Sequence, residues 1–237
     1  MPDPGTLILV PTPIGNLQDM SLRALEVLGR ADALACEDTR ITRKLFQRHE
    51  LPLPETVFSY HEHNEARAGE RILGLLGEGR TVAVCSSAGM PALSDPGYRI
   101  VSAAQEAGFR VEVLPGPSAA LTALVASGLP TSSFTFKGFP PRKAGKLRTF
   151  LLADAEQPHT LVFFESPQRL AKFLAAALET LGDRRAAVCL ELTKKFERVE
   201  TGYLSDLAKR YVPKPPRGEA TVVIAGHHPK FYRQTDA

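Results

Sequence analysis

LILVPTPIGNLQDMSLRALEVLGRADALAC, residues 7–36, is the stretch on which the fold turns. LILV (7–10) and ALAC (33–36) are apolar at consecutive positions, and between them SLRALEVLGRA (21–31) carries a helical pattern. A strand apolar at every position is buried on both faces, as in a parallel sheet covered by helices. The alternation continues through TRITRKLFQRH (39–49), TVAVC (81–85), DPGYRIVSAAQEAG (95–108), VEVL (111–114) and SAALTALVASG (118–128). The first half is therefore predicted to be α/β, with a ligand at the loops that follow the strands.

The first of those loops is unusual. A dinucleotide-binding turn would place G-x-G-x-x-G here and offer backbone N–H groups to a pyrophosphate. This chain has Pro11 and Pro13 instead. Each proline removes a donor and fixes φ, so the turn is stiff and poor in N–H groups. The loops PTPIGN, CEDTR, SSAGMPALSDPG and PGPSAA are rich in small residues, prolines and hydroxyls, which lets a ligand approach the backbone closely. No G-K-[ST] follows a glycine loop and no G-x-S-x-G elbow occurs, which argues against a Walker-type triphosphatase and an α/β-hydrolase. What remains is a cofactor without a pyrophosphate.

After residue 137 come TLVFFES (160–166), the helical RLAKFLAAALETLG (169–182), RAAVCLELT (185–193), RVETGYL (198–204) with SDLAKRYV, and EATVVIAG (219–226). Only two helices among several strands predict a mixed sheet in a smaller domain. The boundary is expected between residues 115 and 135 and is set at 1–118 and 119–237. The tail HHPKFYRQTDA is expected to fray.

Hydrophobic residues make up 43% of the 237, ample for a core. No apolar run approaches the roughly 18 residues needed to span a bilayer, and MPDPGT lacks the features of a signal peptide, so a soluble cytoplasmic protein is expected. Cys36, Cys85 and Cys189 each sit in or beside an apolar run without a C-x-x-C pair and read as buried thiols of a reducing compartment. The formal net charge is only +3, but KGFPPRKAGKLR (137–148) holds Lys137, Arg142, Lys143, Lys146 and Arg148 with no acid among them.

Three motifs offer chemistry, each with a plainer account. In CEDTR, Glu37 and Asp38 follow a strand, where a carboxylate can orient a hydroxyl or act as base; equally, Asp38 or Thr39 can cap the next helix and Glu37 favour its first turn. In HEHNE, His61 and His63 are two apart, which on a strand points them the same way. No further ligands support a metal, so proton handling or phosphate contact is the functional reading and a solvated loop the alternative. SSAGMPALSDPG (86–97) is the longest stretch of turn chemistry and wide enough to wrap a cofactor, although Asp95-Pro96-Gly97 alone is an ordinary turn.

VPTPIGNLQDMSLRALEVL, CEDTR, HEHNE, SSAGMPALSDPG, LPGPSAALTAL, FKGFPPRK, FFESPQRL, ELTKKFE and GEATVVIAG, in this order over nearly the whole chain, resemble the ribosomal RNA small subunit methyltransferase I family of the tetrapyrrole methylase superfamily. The resemblance implies a two-domain α/β tetrapyrrole methylase-like fold, mainly parallel in the N-terminal domain and mixed in the C-terminal one. It also implies S-adenosyl-L-methionine as cofactor, no metal, and 2′-O-methylation of a cytidine ribose in the decoding region of 16S rRNA in the small ribosomal subunit by a cytoplasmic homodimer. Carried over by motif, the cofactor contacts are Pro11, Ala88, Gly89, Met90, Pro91, Leu93, Ser118, Ala119, Glu165, Leu192 and Ala220. Gly15 and Asn16 face RNA, as do Lys137, Arg142, Lys143, Lys146 and Arg148 of the basic stretch. Asp38, His61 and Glu37 are the catalytic candidates, with His63, Glu165 and Lys195 behind them. The family usually shows aspartate where this chain has Ser87 and threonine where it has Met90, and relatives often continue past GEATVVIAG into a helical extension. Two other readings compete: a methylase of the same fold acting on a tetrapyrrole or other small molecule, which has no use for the basic stretch, and a non-catalytic RNA-binding or ribosome-assembly factor.

Overall fold

The computed structural model describes residues 5–234. The chain divides into two compact units, Met1–Ser118 and Ala119–Ala237. The first contains β1 (Thr6–Leu9), α1 (Leu22–Arg30), β2 (Ala33–Cys36), α2 (Thr39–Arg48), β3 (Thr56–Ser59), α3 (Glu65–Gly77), β4 (Thr81–Cys85), α4 (Tyr98–Glu106) and β5 (Arg110–Val113). Its sheet is parallel throughout, in the order β3-β2-β4-β1-β5, so β4 lies between β1 and β2.

The apolar runs are continuous because both faces are covered. On one, Ile8, Leu34, Cys36 and Ala83 meet Leu28 of α1 and Phe46 of α2. On the other, Leu7, Leu9, Val82 and Val84 meet Ile72 of α3 and Ile100 of α4. Full burial of each Val, Leu or Ile contributes about 1.5–3 kcal/mol, so neither helical layer is dispensable. β3 and α3 fall in a stretch that the alternation did not assign. TVFS is only half-buried at the sheet edge, and Gly69, Gly74 and Gly77 lower the helix propensity of α3.

The chain leaves β2 toward β3 on one side of the sheet and leaves β4 toward β5 on the other. The crevice beyond the C-terminal ends of β2 and β4 is therefore a topological switch point, where sheets of this class bind ligands.

The second unit contains α5 (Ala119–Ala126), β6 (Phe134–Phe136), α6 (Ala144–Leu152), β7 (Thr160–Glu165), α7 (Leu170–Leu181), β8 (Arg185–Leu190), β9 (Arg198–Tyr203), α8 (Leu204–Tyr211) and β10 (Ala220–Ile224). Its sheet runs β6-β7-β10-β8-β9, with β6 and β7 parallel and the other pairs antiparallel. Phe163, Val188, Val222 and Ile224 form the core with Leu151 of α6, Phe173 of α7 and Leu207 of α8. Among the described residues this unit has four α-helices: α5, which is the helix expected over SAALTALVASG, the two expected after residue 160, and α6, which was not expected because it lies inside and beyond the basic stretch, where Lys146 and Arg148 obscure the Leu147–Leu151 spacing.

The tail expected to fray is fastened as far as Arg233. Arg184 is buried with 1% of its surface exposed, and its guanidinium donates from Nε to Leu181 O (2.8 Å) and Tyr232 Oη (2.8 Å) and from Nη2 to Ala155 O. Arg233 pairs with Asp183 and Asp206. Residues 235–237 of that tail, and residues 1–4 of the MPDPGT segment, lie outside the described residues. Among the described residues no helix is long and apolar enough to cross a membrane.

Candidate functional site

The first and fourth strand-end loops of the parallel sheet are joined through their backbones. Thr12 N donates to Gly89 O at 2.9 Å and Gly89 N to Thr12 O at 2.9 Å, an isolated antiparallel bridge. Thr12 Oγ1 also donates to Ser86 O at 3.2 Å. Pro11 and Pro13 are buried on either side of this bridge. The N–H groups that a phosphate turn would display are thus absent at two positions and engaged at the third. The fifth loop closes on the first: a Cβ on Gly116 would stand 2.5 Å from Pro11 Cβ. Gly89 adopts φ +81°, and a Cβ there would meet Ile14 at 3.3 Å. Gly15 and Asn16 project outward, and the Asn16 side chain accepts from Gln18 N to cap a short 3₁₀ turn.

Glu37, at the end of β2, crosses the switch point to accept from Ser87 N at 2.9 Å. Position 87 thus acts on Glu37 through its backbone. Asp95 stands in the same loop as Ser87, and burial, reinforced by the charge of Glu37, pushes its carboxyl up to about 6. The loop carrying them is strained, with Ala92 at φ +67° and Ser94 at φ +65°, left-handed values that non-glycine residues rarely adopt. It is fastened at its far end by Glu65, whose Oε1 accepts from Tyr60 Oη (3.0 Å) and Gly97 N (3.3 Å). Glu65 and Ser86 lie within HEHNE and SSAGMPALSDPG, but neither was singled out in those motifs. The signal available for Glu65 was an acid two residues after a turn-forming His61-Glu62-His63, which is too common to single out.

Asp38 caps α2: its Oδ1 accepts from Arg40 N at 2.8 Å and its Oδ2 faces Arg40 Nη2 at 2.7 Å. The Arg40 guanidinium holds this carboxyl well below the usual carboxylate range. His61 and His63 do not lie on a strand, because β3 ends at Ser59. They occupy a turn locked by Asn64, which accepts from His61 N at 2.8 Å and donates to Ser59 O at 2.9 Å. Their rings meet edge to face with centroids 5.9 Å apart. His61 Nδ1 is buried without a hydrogen-bond partner, whereas His63 is exposed beside Glu62. Among the described residues no three His, Cys, Asp or Glu side chains gather as a metal-holding group.

In the second unit, Glu165, Leu192 and Ala220 meet at one end of the sheet. Glu165 closes β7 opposite Ala220, the first residue of β10, and Leu192 follows β8 on the other side. Leu192 is presented by a loop in which Glu191 and Thr193 take φ +51° and +62°, and which Lys194 braces by bonding Glu191 at 2.9 Å and Glu219 at 2.8 Å. Glu165 is buried, its Oε1 accepting from Ser166 N at 2.7 Å. Its Oε2 faces Arg169 Nη2 at 3.3 Å without completing a hydrogen bond. Burial raises this carboxyl against the opposing pull of Ser166 N, Arg169 and Arg142. Ser118 is buried at the end of the first unit and Ala119 begins α5. Lys195 is exposed beside the Phe196 ring.

The basic stretch separates into two parts. Lys137 is internal, its Nζ 2.6 Å from Asp154 and 4.6 Å from the Phe150 ring centroid. Arg142, Lys143, Lys146 and Arg148 are exposed.

Residues 6–208 match the family of Tetrapyrrole (Corrin/Porphyrin) Methylases. A curated relative from Mesorhizobium japonicum, named ribosomal RNA small subunit methyltransferase I, is 51% identical over 92% of this chain and 74% of its own length. The protein of that name from Thermotoga maritima is 43% identical over 94% of this chain and 99% of its own. Among solved structures, uroporphyrin-III-C-methyltransferase from Thermus thermophilus aligns with a TM-score of 0.63 at 24% identity, covering 93% of this chain and 94% of that one. A diphthine synthase aligns at 0.69 and 17%, covering 93% and 90%. At these identities the structures speak to fold alone. The matched span from residue 6 to residue 208 and the identity to curated relatives along nine-tenths of the chain make it a member of the tetrapyrrole methylase family, in its ribosomal RNA small subunit methyltransferase I branch.

Proposed function

We propose that this protein transfers a methyl group from S-adenosyl-L-methionine to the ribose 2′-hydroxyl of a cytidine in the decoding region of 16S rRNA, acting as a cytoplasmic homodimer on the small ribosomal subunit. The observation that carries the reading is the bridged set of strand-end loops at the switch point, built of backbone and small side chains, in a chain half identical to a ribosomal RNA methyltransferase. Such loops suit a cofactor without phosphates. The buried Glu165 Oε2, lacking a hydrogen bond, suits one that brings an amine or hydroxyl.

In the first unit Pro11, Ala88, Gly89, Met90, Pro91, Leu93 and Ser118 would hold the cofactor, largely through main-chain atoms. In the second, Ala119, Glu165, Leu192 and Ala220 would do so. When bound, S-adenosyl-L-methionine supplies an electrophilic methyl group on a sulfonium. The chain's own task is to align the ribose oxygen, receive its proton and keep water out. Alignment of this kind can lower a barrier by about 7–11 kcal/mol. Gly15 and Asn16 at the outer edge of the first loop would meet the RNA, and the exposed cations of 142–148 would hold its phosphates.

For the proton, Glu37 is oriented by Ser87 N, and His61 offers a buried Nδ1 with no other partner. Asp95, held near neutrality, joins them in this reading as a group able to take a proton at physiological pH. Asp38, tied to Arg40, would position the start of α2 beside them. The test is transfer of a labelled methyl group to small subunits lacking the modification, with the product nucleoside identified after digestion. Label on a cytidine ribose is the expected result. Binding of subunits without any transfer would favour the RNA-binding-factor reading.

A further inference from the structure

Between α6 and α7 the second unit opens a groove with a cavity of about 480 Å³. Leu147, Phe173 and Ala176 form an apolar floor, and Arg142, Arg148, Arg169 and Lys172 supply four cations around it. Arg169 is committed elsewhere, donating to Pro140 O and Pro141 O at 3.2 and 2.9 Å and facing Glu165. Arg148 and Lys172 enter no ion pair among the described residues. An apolar slot rimmed by unpaired cations matches a nucleotide, with its phosphate on the rim and its base on the floor. Toward the last turns of α7 the lining changes to Glu179 and Thr180, which hydrogen-bond rather than attract phosphate. Lys172 and Glu179 are seven residues apart, about 10 Å along a helix, comparable to the reach from a phosphate to the far edge of its base.

We propose that this groove seats one unstacked nucleotide of the RNA substrate, with Arg148 and Lys172 on flanking phosphates, so that the enzyme grips a single strand beyond the nucleotide it methylates. The proposal rests on the rRNA methylation reading. It adds Lys172, from outside the basic stretch, and sets aside Lys137, whose charge is consumed by Asp154. A duplex cannot occupy the slot, because its bases are stacked and paired and present only a phosphate surface to the helices.

The experiment measures binding of a labelled single-stranded RNA 20-mer and of a duplex of equal length across a salt series. It compares the natural chain, an Arg148→Ala/Lys172→Ala double variant, and Gly145→Leu. Gly145 lines the groove and a Cβ there would meet nothing within 4 Å, while leucine favours the helix over glycine, so this variant fills the slot without altering charge or endangering the fold. The natural chain is expected to prefer the single strand. Loss of two phosphate contacts should flatten the log–log salt slope by about 1.4. Gly145→Leu should keep that slope yet bind roughly tenfold more weakly, the scale of one lost base contact. All three should hold S-adenosyl-L-methionine equally well.

Unchanged RNA binding in both variants, equal affinity for the duplex, or displacement of the RNA by polyglutamate at equal charge concentration would each overturn the proposal, the last in favour of an acidic protein partner. Methyl transfer at limiting subunit concentration separates the two levels. Undiminished transfer by both variants removes the groove and leaves the methylation reading. No transfer by the natural chain, with weakened RNA binding in the variants, removes the methylation reading and leaves the groove.

Discussion

Asp95 is half-buried and carries its proton to about pH 6, while an unfolded chain would release it near the ordinary aspartate value of 3.8. The folded protein therefore binds more protons than the unfolded one between these values, and stability declines as pH rises through that window. Asp95→Asn removes a charge that the folded state holds unwillingly. At pH 8 it should raise stability by about 1 kcal/mol, a figure already reduced for partial solvent access, and the gain should vanish below pH 4. Thermal melts of the two proteins from pH 4 to 8 check this, and methyl transfer by the stabilised variant should fall. The same residue shows how far side-chain identity reaches. Asp95-Pro96-Gly97 reads locally as a turn; its raised carboxyl comes first from burial in the folded loop and then from Glu37, 58 positions earlier in the chain, and no local pattern shows either. Asp38, by contrast, was legible in both its accounts, and the geometry fills the capping one.

At the scale of elements, the strand-end loops are an assembly in which each holds the next. Thr12 and Gly89 exchange hydrogen bonds, and Gly116 lies under Pro11 with no room for a methyl group. Gly116→Ala should force the first and fifth loops apart, costing about 1–3 kcal/mol of stability and weakening S-adenosyl-L-methionine binding. Denaturant midpoints and calorimetric titration measure the two effects. Binding as tight as in the natural chain would mean that these loops do not form the cofactor surface. Most of the elements could be read directly, because β1, β2 and β4 are buried on both faces and so are apolar without interruption. β3 could not, since its half-buried residues show no such run, and α6 was hidden because its cations sit among its core leucines. The Thr12–Gly89 bridge lay beyond reach for a different reason: main-chain hydrogen bonds between distant loops leave little mark on side-chain identity.

Across the whole molecule, each unit is secured by contacts far apart in sequence. In the second, Arg184 gathers Leu181, Ala155 and Tyr232 around one buried guanidinium, and its burial lowers its own basicity. Arg184→Met retains volume but strands the carbonyl oxygens it satisfies, and should cost about 2–4 kcal/mol, lowering the denaturant midpoint and releasing the tail to proteolysis near Tyr232. An unchanged midpoint would mean that the tail contributes nothing to the unit. In the first unit the distant contact is the sheet order itself. β1 and β2 do not pair, because β4 occupies the place between them. During synthesis the opening two strands are therefore no partners for each other: β2 can pair with β3 once Ser59 has been added, but β1 has no neighbouring strand until the chain has grown past Cys85. Until then LILV is an apolar segment with no strand beside it, so the first strand of this protein is left waiting longest for its place in the sheet.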